Sequence, residues 1–191
     1  MNPLEEFKDK LVEFAKGERR GIRNPFVIVP VDPQLENRVA DHLMRWASTT
    51  SGEPPIEVIH LDEILPQTDV FRVATSVPAT STETGHEAVE KTLKDNLGQE
   101  LVETIYSENT DIMNRDEQIV LLLHLGSLYP FTRASEILDE LDRLKVQATV
   151  GIPFPGRVIG GKLSFFGEDA RHYYPAHRAG DDQQVQEVHL Q

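Results

Sequence analysis

Residues 118–125, Gln118-Ile-Val-Leu-Leu-Leu-His-Leu125, decide how the rest of the chain is read. A near-continuous apolar run of this length fits a strand covered on both faces, as in parallel sheets flanked by helices, and we take it as the central strand. Working outward, Gly126-Ser-Leu-Tyr-Pro130 is a turn, and Phe131, Ala134, Leu138 and Leu141 then recur at helical spacing towards a stop near Leu144. Residues 146–152 supply the next strand. On the other side, Thr84 and Glu87 have the spacing of a capping box, and Val89, Leu93, Leu97, Leu101 and Ile105 follow on one face, which predicts a helix over 85–106.

The N-terminal third repeats this alternation. Leu4, Phe7, Leu11, Phe14 and Ala15, with Pro3 at the start and Gly17 at the end, predict a first amphipathic helix. Residues 26–31, Phe-Val-Ile-Val-Pro-Val, predict a strand whose last residues bend out of the ladder at Pro30. Asp32-Pro33 is a cap followed by a first-turn proline, and Leu35, Val39, Leu43 and Trp46 carry a helix over 33–47. Residues 56–61 form a second strand that ends at Asp62. The stretch 62–84, with Pro66, Pro78 and many Ser and Thr, is expected to be a loop, with 70–77 as an edge-strand candidate. Residues 162–166 supply one more edge strand. The order βαβαβ predicts an α/β fold, a three-layer Rossmann-like or P-loop-like sandwich around a mostly parallel sheet. One domain spans 1–178, and the Asp-, Gln- and Glu-rich residues 179–191 are expected to be a mobile tail.

Composition narrows function. The 191 residues hold 32 acidic against 19 basic side chains, a net charge of -13, and no basic run. Such a chain repels a phosphate backbone, so no direct nucleic-acid binding is expected. Arg19, Arg20 and Arg23 form a small basic cluster that reads as a solvated connector before it reads as an anion or partner contact. With no cysteine there is no disulfide framework, thiolate zinc site, iron–sulfur cluster or cysteine nucleophile. The charged N-terminal thirty residues and the lack of a bilayer-length apolar stretch lead us to expect a cytoplasmic protein with no membrane partner.

Candidate chemistry is incomplete wherever it is sought. Gly156-Arg-Val-Ile-Gly-Gly161-Lys162-Leu163 matches the glycine and lysine spacing of a phosphate-binding loop, but Leu163 replaces the hydroxyl residue and an extended segment follows where a helix is needed. No functional Walker motif results; a Gly-rich β-turn accounts for the residues, and no cofactor is expected. The seven histidines include no H-E-x-x-H pair. His124, placed inside the central strand, reads as a structural histidine. Ser127 lacks the second glycine of a nucleophile elbow. Asp32 and Asp62 both follow strands, where carboxylates can hold a metal, although capping explains Asp32 as well. Two turns are rich in aromatics and proline, around Tyr129 and Phe131 and around Phe154 and Pro155, later joined by Phe165, Phe166, Tyr173 and Tyr174. They read either as packed core or as a partner surface.

The ordered set Val31-Asp32-Pro33, Val120-Leu-Leu-Leu-His-Leu-Gly-Ser-Leu-Tyr-Pro-Phe131, Pro153-Phe154-Pro155-Gly156, Leu163-Ser-Phe-Phe-Gly167 and Tyr173-Tyr174 resembles the BrxB family of bacteriophage exclusion (BREX) systems over residues 4–179. The resemblance implies a non-catalytic subunit of an antiviral complex, with other BREX components as partners: foremost the phosphatase-like PglZ, then the ATPase BrxC and the methyltransferase PglX. It carries no catalytic or metal residues. Tyr129, Phe131, Phe154, Pro155, Tyr173 and Tyr174 are the expected partner contacts. Two alternatives stay open: a degenerate nucleotide or effector binder, and a metal-assisted nuclease or phosphatase using Asp32 and Asp62.

Overall fold

The computed structural model describes residues 2–18, 24–52, 54–78, 82–159, 162–166, 176–181 and 183–190. In chain order the main elements are α1 (Pro3–Ala15), β1 (Phe26–Val31), α2 (Glu36–Thr49), β2 (Ile56–His60), α3 (Leu61–Ile64), α4 (Asp69–Ser76), α5 (Glu83–Glu108), α6 (Thr110–Met113), β3 (Ile119–Leu123), α7 (Ala134–Arg143), β4 (Thr149–Ile159), β5 (Lys162–Phe165) and β6 (His177–Arg178). The strand order is β2-β3-β4-β1-β6, every pair parallel, with β5 antiparallel to the far half of β4. This is the three-layer α/β sandwich that the alternation predicts.

The pleat explains the layers. In β3 the odd positions Ile119, Leu121 and Leu123 pack with α1 and α2, while Val120 and Leu122 pack with α5 and α7. β1 divides likewise, Val27, Val29 and Val31 to one side and Phe26 and Ile28 to the other. Both faces are therefore covered, and each such side chain contributes about 1.5–3 kcal/mol by leaving water. β3 lies second in the order, so the central position belongs to β4, between β3 and β1. Gly151 on β4 lets α1 approach, for a Cβ there would stand 2.9 Å from Leu11 and Phe7. On α1, Asn2 accepts a hydrogen bond from the Leu4 N–H and Gly17 ends the helix with φ 68°.

The prolines of β4 occupy positions that need no donor. Thr149 donates to Gln118 on the β3 side and Val150 to Pro25 on the β1 side, so by period two Pro153 and Pro155 face β3. The β3–β4 ladder stops at Leu121↔Gly151, and no strand bond is lost. Pro30 also stays in the ladder, opposite Phe154, where a bend was expected, because its nitrogen faces the outer side of β1.

Other expectations shift. The stretch 62–84 is helical in α3, a 3-10 turn over Leu65–Gln67 and α4; residues 79–81 lie outside the described residues. Pro66 sits in a first turn, where it interrupts nothing, and Glu100 of α5 accepts from the Val70 N–H at the start of α4. The α5 cap is Thr82, two residues before the expected Thr84, with its hydroxyl accepting from Gly85. The near-phosphate-loop is the pair of hairpin arms β4 and β5, Gly156 opposite Phe165, with Gly160 and Gly161 outside the described residues. Ala179 and Val185, in the stretch expected as a mobile tail, lie along the outer edge of β1. Ala179 and Val185 are fully buried, and their N–H groups donate to Ile28 and Pro30. Among the described residues no helix is long and apolar enough to cross a membrane.

Candidate functional site

In an open parallel sheet the loops at the carboxyl ends of the strands are where ligands and partners gather. Here those loops bring together a polar half and an aromatic half that meet at Gly126.

The polar half is set by strand ends. His60 is the last residue of β2, and His124 follows β3, whose Leu123 is the register partner of His60. His124 is therefore half-buried at the edge of the sheet and lies beyond the strand that was expected to contain it. Its backbone is left-handed, φ 63° and ψ 42°, a conformation L-residues disfavour. The step turns the chain off the sheet and lays the His124 ring against that of His60, with centroids 5.3 Å apart and 25° between planes. Asp62, in the first turn of α3, completes a group whose nitrogen and oxygen ligand atoms all lie within 4.8 Å of one another. Glu36, first residue of α2, reaches across and accepts the Gly126 N–H at 2.7 Å. Burial holds its carboxyl above the ordinary range; the Gly126 bond and His124 act against that, and Asp62 adds to it.

Two other candidates are accounted for by local structure. The Asp32 carboxylate accepts the Gln34 N–H at 3.0 Å and caps the turn after β1, the preferred reading of that residue, while the ligand group around Asp62 is made with His60 and His124. The Ser127 hydroxyl donates to the His124 carbonyl at 2.7 Å and pins the turn over Leu125–Leu128.

The aromatic half rests on the core. Phe154 is 2% exposed and packs on Phe165 at 5.4 Å; Phe165 meets Tyr129 at 5.6 Å and Phe166 at 4.9 Å, and Tyr129 and Phe166 are themselves 4.9 Å apart. The cluster surfaces in Tyr129 and Phe166, each 38% exposed. Phe166 sits at φ 47°, rare for a bulky side chain, so the packing holds the ring outward at some backbone cost. Of the expected partner contacts, Tyr129 presents surface. Phe154 and Pro155 are buried and act as support, because β4 runs on through them between two helical layers. Phe131 is half-buried against Val70, Leu93 and Leu97 on the α4–α5 side. Tyr173 and Tyr174, like Arg19, Arg20 and Arg23, lie outside the described residues.

Gly126 joins the halves. A Cβ there would collide with the Glu36 carboxylate and stand 3.0 Å from Phe166 Cζ. His60 and Glu36 were not singled out by sequence reasoning. The signal for the histidines was that each ends an apolar run, but pairing them needs the knowledge that β2 and β3 are neighbours.

Neither the comparison with curated proteins nor that with solved structures finds a match. A scan against family models matches the BREX protein BrxB over residues 60–179. That span takes in β3, β4, β5 and every aromatic of the candidate surface, and since it exceeds half the sequence, the chain belongs to the BrxB family.

Proposed function

We propose that this chain is a non-catalytic subunit of a BREX defence complex that docks through the aromatic half of its carboxyl edge. Membership of the BrxB family implies involvement in BREX phage defence. The observation that carries the docking reading is the exposed pair Tyr129 and Phe166, packed edge-on against Phe165, which rests on Phe154. Rigid aromatics backed by a core bury large area at small entropic cost, which suits them to the centre of an interface. The non-catalytic reading is supported by the use of Ser127 as a turn clasp and of the near-phosphate-loop as a β-hairpin. The partners are other BREX components, PglZ first and then BrxC and PglX, with DNA contact left to them given a net charge of -13. Immobilised chain presented separately with PglZ, BrxC and PglX is expected to retain PglZ at physiological salt. Retention of none of the three, by a chain whose circular dichroism melt is cooperative, would refute the docking reading.

A further inference from the structure

We propose that His60, His124 and Asp62 form a binding site for a single divalent transition-metal ion of the zinc class. Two imidazoles and a carboxylate, on the ends of two adjacent parallel strands and the first turn of the next helix, offer ligand atoms within 4.8 Å of one another. In a tetrahedral zinc site with bonds of about 2.0–2.2 Å the donors stand about 3.4 Å apart, so the widest pair of ligand atoms needs to close by no more than about 1.4 Å. Among the described residues, no hydrogen bond engages either ring through its nitrogens or the Asp62 carboxylate, so their lone pairs are free to ligate. The left-handed backbone of His124 is what brings the second imidazole beside the first; an extended residue there would continue the strand.

The donor set selects the ion. Magnesium and calcium favour shells of oxygen, whereas two imidazoles with one carboxylate suit zinc and its first-row neighbours. Three protein ligands leave a fourth position open, and Asp62 is on the solvent side of the group. Glu36 stands behind, its carboxyl accepting the N–H of Gly126, two residues beyond His124. The site is distinct from the docking surface and does not rest on it, since metal binding is read on the free chain.

The test uses full-length chain freed of metal by a chelator and titrated with zinc chloride by calorimetry, with cobalt chloride as an absorption probe of the ligand field. One zinc per chain is expected, undisturbed by excess magnesium, with a rise in melting temperature on saturation. His60→Gln and Asp62→Asn should each weaken zinc binding by about tenfold or more. His124→Asn should do the same while keeping its fold, since asparagine tolerates the left-handed region. Asp32→Asn, which keeps its capping role, should leave zinc binding unchanged. Absence of stoichiometric zinc binding by the wild-type chain would overturn the proposal. So would zinc affinity unchanged in both His60→Gln and His124→Asn.

Discussion

The aromatic and polar halves of the carboxyl edge touch at Gly126, yet they are held in opposite ways. Tyr129 and Phe166 lean on Phe165 and Phe154, and Phe154 belongs to the same buried cluster as Ile28, Leu122 and Ile152. His60, His124 and Asp62 stand at element ends, and among the described residues no hydrogen bond engages their ring nitrogens or carboxylate. A surface continuous with the core cannot be altered at its base without loss of stability, whereas a cluster at strand ends can be altered with the fold intact. Mutations should therefore separate the two halves cleanly.

The largest expected effect is at the aromatic base. Phe154→Ala removes a buried ring of β4 packed against Phe165 of β5 and should cost about 3–5 kcal/mol in denaturant unfolding. A loss under about 1 kcal/mol would mean that the aromatic half is not anchored in the core. At the junction, Gly126→Ala forces Glu36 and Phe166 to move, and about 1–3 kcal/mol is expected by the same measurement. A neutral result there would show that the halves are not packed on one another.

In the polar half the effect should nearly vanish. With chelator present, His60→Gln should shift unfolding free energy by no more than about 0.5 kcal/mol, because no hydrogen bond among the described residues is lost. A cost comparable to that of Phe154→Ala would turn the histidine pair into a structural element and erase the contrast. Glu6, away from both halves, sets the scale for an ordinary polar clasp: it binds Lys10 at 2.6 Å and accepts the Gly180 N–H at 3.2 Å. Burial opposes its ionisation, but those two donors prevail and hold its carboxyl below the ordinary range. A depressed carboxyl adds stability above its unfolded-state value and loses it as pH falls through the folded one. The gap in unfolding free energy between wild type and Glu6→Gln should thus be full near neutrality and close below the usual carboxylate range. A gap independent of pH would show that the clasp is not ionic.

How much of this was legible depended on whether a signal is local. The both-face burial of β3 was plain in Ile119–Leu123 because a doubly covered strand admits no polar alternation. The amphipathic helices α1, α5 and α7 were equally plain. The short helices α3 and α4 were not, since four and eight residues carry too few turns to show a period against Pro66 and the serines. Tyr129 could be picked out by its turn, but not separated from the buried Phe154, because exposure is decided by which strand passes overhead. The pairing of His60 with His124 depends on sheet order, and 64 positions separate the two in sequence.

The central claim is that the exposed tip of the aromatic half is a docking surface, and the direct measurement is the affinity of PglZ for the wild-type chain and for Tyr129→Ala and Phe166→Ala, beside their melts. Each substitution is expected to weaken binding by about 2 kcal/mol or more, with cooperative unfolding retained. Wild-type affinity in both variants, each still cooperatively folded, would contradict the account.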